Sequence, residues 1–223
     1  MSGRPLLTLA CLAAAGALAQ DAPPREEGRF RAADLVELVS LDSSIRLDIR
    51  YATPRNFTGR AVYAEARAFL QRPAAQALVR AHRVFRGRGY GLLIFDGYRP
   101  WSVTKLFWEV TPADKREFVA DPAKGSKHNR GCAVDLSLCD LATGREVEMP
   151  SPYDDFTEKA YPTYAGGTAE QRAARDLLRG VMEKEGFSVE PNEWWHFNYK
   201  EWRRYPILDV PFASLSATAP RAP

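Results

Sequence analysis

One strand constrains this chain more than any other segment. Residues 132–139 read Cys-Ala-Val-Asp-Leu-Ser-Leu-Cys. Side chains alternate across a strand, so Cys132, Val134, Leu136 and Leu138 share one face and Asp135 projects from the other. A carboxylate in an otherwise apolar strand needs a partner, because burying an unpaired charge is costly. Partners are scarce. The 223 residues contain three histidines, His82, His128 and His196, and three cysteines, Cys11, Cys132 and Cys139. Any metal or acid–base site must be built from that short supply. A disulfide within the strand is not expected. Seven residues at ~3.3 Å each separate Cys132 from Cys139 by about 23 Å, on opposite faces, whereas a disulfide needs Cα atoms within roughly 7 Å. Cys132 reads as a small core residue.

Composition excludes several classes. With 45% hydrophobic residues and 11 Phe, 9 Tyr and 5 Trp, most of the chain has enough apolar surface to fold. The 15 glycines and 16 prolines fit neither a collagen-like nor a low-complexity chain. Lys and Arg total 31 against 28 acids, a net charge of +3. That balance does not point to nucleic acid as a partner.

The first 19 residues read as an export signal. Arg4 supplies a short positive region, Leu6 to Ala19 is apolar, and Ala17-Leu18-Ala19 is a small-x-small cleavage site. The apolar run is short of the ~20 residues that span a bilayer, and no later stretch qualifies, so no membrane span is expected. Cys11 invites a lipoprotein reading, but Leu7 lies four residues before it rather than three, and the apolar run continues past it. Cleavage after Ala19 leaves a net charge of +2 and two cysteines. The protein is expected to be exported, to the periplasm.

Residues 20–33 form a polar lead-in expected to be flexible, residues 34–212 one domain, and residues 213–223 a loose tail. Leu35–Leu41 and Ile45–Tyr51 read as strands. A helix starts at Pro73 and runs to about Arg86, with His82 on its apolar face as a packed structural residue. Tyr90–Phe95 reads as a buried strand. Helices are expected at Ser102–Val110 and Pro112–Ala120, the second capped by Thr111. Thr168 and Gln171 form a capping box for a helix reaching Glu185, which Gly186 ends. Phe187–Val189 and Trp194–Tyr199 read as strands. The mixture lacks a βαβ rhythm. It predicts an α+β domain with a small, largely antiparallel sheet flanked by helices.

Two segments carry chemistry. Ser126 to Asp135 holds His128, and Glu193-Trp194-Trp195-His196 pairs the other free histidine with an acid. A catalytic zinc takes three protein ligands from His and Asp/Glu and keeps one position open. His128, Asp135 and His196 can supply them, leaving Glu193 as a free base. Glu193 and His196 would share a face on a helix. On a strand they point apart unless a bulge or turn intervenes, and spacing leaves that open.

These residues resemble a known family. The stretch SKHNRGCAVDLSL is similar to the S-x-H-x-x-G-x-A-x-D signature of the D-alanyl-D-alanine dipeptidases, the VanX-type zinc peptidases. EWWH resembles their second signature, and DGYRP at 96–100 and LDIRYATPRNFTG at 47–59 resemble further segments in the right order. The likeness runs from about Leu35 to Pro211. It implies one zinc per chain on His128, Asp135 and His196, with Glu193 as the base. It implies that Arg99 stabilises the transition state and that Ser126 and Tyr51 lie near the substrate carboxylate. Asp154, or the adjacent Asp155, would hold the substrate's free amino group. Cys132 departs from the Ser or Ala expected there, which implies only a repacked strand. The expected activity is hydrolysis of the small zwitterionic dipeptide D-Ala-D-Ala to D-alanine in the cell envelope. Two other readings remain: a D,D- or L,D-carboxypeptidase on peptidoglycan stems, and a non-catalytic zinc-containing cell-wall binding module. Oligomeric state stays open.

Overall fold

The alternation around Asp135 becomes the middle strand of the main sheet. The computed structural model describes residues 21–215; the signal-peptide segment 1–19 and residues 216–223 of the tail lie outside them. In chain order the elements are β1 (Leu35–Glu37), α1 (Leu38–Leu41), β2 (Arg46–Leu47), β3 (Phe69–Gln71) and α2 (Arg72–Arg86). Then come β4 (Tyr90–Asp96), α3 (Trp101–Val110), β5 (Ala133–Asp140), α4 (Ala169–Lys184), β6 (Phe187–Glu190) and β7 (Glu193–Tyr199). Five strands form one sheet in the order β2-β4-β5-β7-β6. Only the β2–β4 pair is parallel; the others are antiparallel. β1 and β3 form a separate antiparallel pair. The domain is α+β with a small, largely antiparallel sheet, as the sequence predicts.

The sheet is covered by amphipathic helices. α2 carries Pro73 in its first turn and buries Leu78, Val79, Ala81, His82 and Phe85. His82 is a structural residue: Nδ1 accepts from the Leu92 amide at 3.2 Å, and Nε2 lies 3.0 Å from Ser44 Oγ. α4 begins with both halves of the Thr168–Gln171 capping box and buries Leu178, Val181 and Met182. β5 is buried from Ala133 to Cys139, so both of its faces meet protein. Cys132 and Cys139 are free and buried.

Four expectations change. Leu35–Leu41 is not one strand: β1 stops at Glu37 and the chain turns into α1. The Ile45–Tyr51 strand shrinks to β2, and Tyr51 lies in a 3-10 turn, Arg50–Ala52. The carbonyl of Arg50 accepts from Thr53 N, Thr53 Oγ1 and Asn56 Nδ2. Such local bonds compete with the sheet and bend the chain away. The helix expected at Pro112–Ala120 is a 3-10 turn, Ala113–Phe118. Thr111 Oγ1 bonds back to the Phe107 carbonyl at 2.7 Å instead of capping forward. The lead-in, expected to be flexible, is strapped to the segment 201–207. Glu26 pairs with Arg130 and accepts from Ile207 N at 2.7 Å. Arg31 N donates to the Arg204 carbonyl at 2.8 Å, and its guanidinium meets Glu201. Phe212, at the end of the domain, is buried.

Gly131, which joins the His128 turn to β5, is required twice over. Its φ is +65°, and a Cβ there would stand 2.4 Å from Leu35 Cδ2. A left-handed residue with a Cβ costs about 1–2 kcal/mol, and the clash adds to that. Gly131→Ala is therefore expected to lose at least that much unfolding free energy in urea titration of the metal-free protein.

Candidate active site

Register brings the distant residues together. Asp135 on β5 lies directly across from His196 on β7. His128 arrives from the 3-10 turn His128–Arg130, which Gly131 closes with its left-handed backbone. Among the described residues, His128, Asp135 and His196 form one buried group whose ligand atoms lie within 4.8 Å of one another. His128 Nε2 is 3.2 Å from His196 Nδ1, and Asp135 Oδ1 is 3.3 Å and 3.2 Å from the two nitrogens. Asp135 Oδ1 is buried with no partner of good hydrogen-bond geometry among the described residues. The other carboxylate oxygen accepts from Tyr153 Oη at 3.0 Å.

The orientation of His128 is set from behind. Its Nδ1 lies 2.7 Å from the Gly97 carbonyl. A carbonyl only accepts, so Nδ1 carries the proton and Nε2 presents its lone pair. Gly97 can sit there because it lacks a side chain: a Cβ would stand 2.7 Å from the Phe69 carbonyl oxygen.

Glu193 resolves the question that spacing left open. The β6–β7 pairing shifts register between Val189 and Glu190, bringing Glu190 opposite Glu193 at the hairpin end. Glu193 Oε2 lies 3.3 Å from His196 Nδ1, so base and ligand candidates meet although both are on a strand.

The electrostatics favour a cation. Burial disfavours the Asp135 charge, but the imidazoles of His128 and His196 outweigh it and hold the carboxyl well below its usual range. Burial also disfavours a charged His196 ring, yet its closeness to Asp135 and Glu193 pushes its pKa up to about 10. The cluster thus attracts positive charge. Two imidazole nitrogens and a carboxylate oxygen, one atom of which lacks any other partner, fit a metal ion.

Arg99 reaches the cleft from the turn after β4. Asp96 grips it, at 2.9 Å from Nε and 2.8 Å from Nη2. Nη2 also lies 3.6 Å from Asp135 Oδ2, and the guanidinium covers the Phe107 ring at 4.7 Å. Asp96 in turn accepts from Tyr63 Oη at 2.9 Å and Gly97 N at 2.8 Å. Ser126 lines the cleft, and its Oγ accepts from His128 N at 3.1 Å. Tyr51 also lines the cleft, but its hydroxyl donates to Asp154 Oδ1 at 3.0 Å. Tyr51 is thereby tied to the acid.

Of the two adjacent acids, Asp154 lines the cleft and Asp155 does not. Asp154 has φ +60°, and Oδ2 is buried with no hydrogen-bond partner among the described residues. Burial pushes its carboxyl well above the usual range. The Asp135 charge pushes the same way, and the Tyr51 hydrogen bond works against both. The cleft is narrow, about 60 Å³, and Phe57, Phe107, Phe118 and Phe156 wall one part of it.

Sequence reasoning missed Asp96, Tyr153 and Asn198 as functional neighbours. Asp96 heads the DGYRP segment, and Tyr153 precedes the expected acid. Asn198 is two residues from His196 on one strand, where alternation places it on the same face. That was a usable signal.

A paired-imidazole and carboxylate cluster, with a free acid and an arginine beside it in an α+β domain, defines a metallopeptidase. A family model described as D-ala-D-ala dipeptidase, in peptidase family M15, matches residues 31–212. The chain belongs to this family. It is 31% identical over 180 residues to the D-alanyl-D-alanine dipeptidase of Escherichia coli (strain K12), covering 81% of this chain and 92% of that one. It is 36% identical over 187 residues to the D-alanyl-D-alanine dipeptidase of Enterococcus faecalis (strain ATCC 700802 / V583), covering 75% and 88%. It also aligns with a solved structure of the vancomycin resistance D,D-dipeptidase VanXYg in complex with a D-Ala-D-Ala phosphinate analog. That match has 19% identity and a TM-score of 0.41, over 82% of this chain and 61% of the other.

Removing one partner of a buried ion pair costs about 3–5 kcal/mol, because the other charge is left uncompensated. Asp96→Asn keeps the shape and removes the charge opposite Arg99. It is expected to lower the unfolding free energy by that order in urea titration of the metal-free protein; an unchanged midpoint would mean that Asp96 does not hold Arg99.

Proposed function

We propose that this protein is a zinc dipeptidase that hydrolyses D-Ala-D-Ala to two molecules of D-alanine, and that it works outside the cytoplasm. One observation carries the reading: the cleft contains two buried carboxylate oxygens that no hydrogen bond from the described residues satisfies, Asp135 Oδ1 and Asp154 Oδ2. The first, held ionised, calls for a cation, and the second, whose ionised form burial disfavours, gains that charge only beside one. A metal ion answers the first, and the ammonium of a substrate with a free amino terminus answers the second. The relatives that share 31% and 36% identity are named for this dipeptide.

His128, Asp135 and His196 would hold one zinc ion; two imidazoles and a carboxylate with an open position suit that metal. When bound, zinc supplies Lewis-acid chemistry, polarising the peptide carbonyl and making water nucleophilic at neutral pH. Glu193 takes the proton of the attacking water and delivers it to the leaving amine. Arg99, fixed by Asp96, faces the carbonyl oxygen as negative charge develops there. One preorganised donor of this kind is worth about 3 kcal/mol, or ~100-fold in rate. Ser126 Oγ accepts from the His128 amide, so its own proton is free for the substrate carboxylate. Tyr51 orients Asp154 for the ammonium. Binding both ends of a zwitterion rejects blocked or longer peptides, because either would leave a buried charge unpaired.

The reading favours a dipeptidase over a carboxypeptidase on peptidoglycan stems, whose substrates carry an acylated nitrogen that Asp154 could not pair. It favours an enzyme over a binding module because both Glu193 and Arg99 face the cleft. The Leu6–Ala19 pattern supports export to the periplasm, where the reaction would serve peptidoglycan turnover or D-alanine recovery. No helix among the described residues is long and apolar enough to cross a membrane.

D-alanine release from D-Ala-D-Ala is expected together with one zinc per chain, and little release from the N-acetylated dipeptide. Turnover of only the blocked peptide would overturn the dipeptidase reading. A chelator should abolish activity and added zinc should restore it. Glu193→Ala is expected to retain zinc and lose roughly 10²–10⁴-fold in kcat; unchanged turnover would remove Glu193 from the role of base. Asp154→Asn should raise KM for D-Ala-D-Ala by about tenfold or more, since a charge-assisted bond to the ammonium contributes roughly 1.5–3 kcal/mol. Steady-state kinetics read both variants.

A further inference from the structure

The second imidazole, like the first, has a residue behind it, and here the backing is a chain of side chains. His196 Nε2, the nitrogen turned away from Asp135, lies 2.8 Å from Asn198 Oδ1. Asn198 Nδ2 donates to Glu190 Oε2 at 2.7 Å. The same Glu190 oxygen accepts from Lys127 Nζ at 2.9 Å. His196 and Asn198 are two apart on β7 and so share a face. Glu190 ends β6 beside the hairpin turn, and Lys127 immediately precedes His128. The chain of contacts therefore joins the two segments that carry the imidazoles.

The chemistry of each link has one direction. A side-chain amide can present either its oxygen or its nitrogen, and only its neighbours decide which. An ionised Glu190 can only accept. It draws the amide nitrogen of Asn198 toward itself and turns the amide oxygen toward His196. An amide oxygen can only accept, so His196 must carry its proton on Nε2. Nδ1 is then the nitrogen that gives up its proton to bind a metal ion, which it would share with Asp135 Oδ1. Lys127 Nζ, on the same Glu190 oxygen, holds that carboxylate in place.

We infer that Asn198 is a positioning residue for the metal site, and that Glu190 and Lys127 act through it. Asn198 fixes the tautomer and ring orientation of His196 so that Nδ1 is the ligand atom. This rests on the zinc reading above and adds to it residues outside the ligand set. Outer partners of metal-binding histidines typically contribute 10–100-fold in metal affinity. A purely structural role predicts something else: a hairpin bond whose loss lowers stability and leaves zinc affinity alone.

Zinc affinity measured by competition with a chromophoric chelator separates these. Asn198→Ala is expected to weaken zinc binding about 10–100-fold, with the far-UV spectrum of the metal-free protein unchanged. Glu190→Gln, one link further from the ring, is expected to weaken it in the same direction by less, because an amide no longer dictates which way Asn198 points. In zinc-loaded wild type labelled with ¹⁵N-histidine, His196 should show a protonated Nε2 and a metal-bound Nδ1. A folded Asn198→Ala protein with wild-type zinc affinity would overturn the inference, as would a His196 protonated on Nδ1. Should Asn198→Ala fail to fold, Glu190→Gln decides: wild-type affinity with an unaltered Nε2–H signal overturns the inference. A wild-type protein that binds no zinc would instead overturn the zinc reading beneath it.

Discussion

The charge of Asp135 is the constraint on which the rest of the cleft depends. It is buried in the middle strand of the sheet, where an unpaired carboxylate would be costly. Every strong feature nearby answers that cost. Two imidazoles face one of its oxygens, a tyrosine hydroxyl bonds the other, and the Arg99 guanidinium stands 3.6 Å off. The imidazoles in turn need fixed orientations, which the Gly97 carbonyl and the Asn198 amide supply. Arg99 needs a counter-charge closer than Asp135, which Asp96 provides. The site is one electrostatic unit built outward from one strand residue, and each outer layer exists because the inner one carries charge.

How much of this is legible in the sequence follows from which contacts are local. Asp135 stands out because it breaks an apolar alternation, and three histidines in the whole chain leave few partners to consider. One of them falls on the buried face of α2, so the remaining two are selected almost by supply. The capping box of α4 and the Pro73 start of α2 are legible for the same reason: they are written within a few residues. Glu193 is different. Its position beside His196 depends on a register shift at the β6–β7 hairpin, which spacing alone does not encode. Tyr51 leaves the strand although its hydrophobic alternation is real, because hydrogen bonds from Thr53 and Asn56 to Arg50 win locally. Asp96 looks like an ordinary turn residue until β4 pairs with β5 and buries it. The lead-in looks loose by composition, yet Glu26 finds Arg130 across more than a hundred residues, a partner that no local rule can name.

The cleft also shows why its acids are not equivalent. Asp96 is saturated, holding a guanidinium, a tyrosine hydroxyl and a backbone amide. Asp135 has a hydrogen bond on one oxygen, while the other only faces the two imidazoles. Asp154 has Tyr51 on one oxygen and, among the described residues, no hydrogen bond on the other. It also adopts a left-handed backbone, which costs a non-glycine residue of order 1–3 kcal/mol. A group that is buried, half-satisfied and strained lowers the stability of the fold unless something arrives to use it. The two deficient carboxylates line the same narrow cleft, beside the candidate base and the arginine. Their deficits match a metal ion and an ammonium, the two positive charges that hydrolysis of a small zwitterion at a metal centre brings together. Binding of those two charges offsets the cost that burying each acid imposes on the fold.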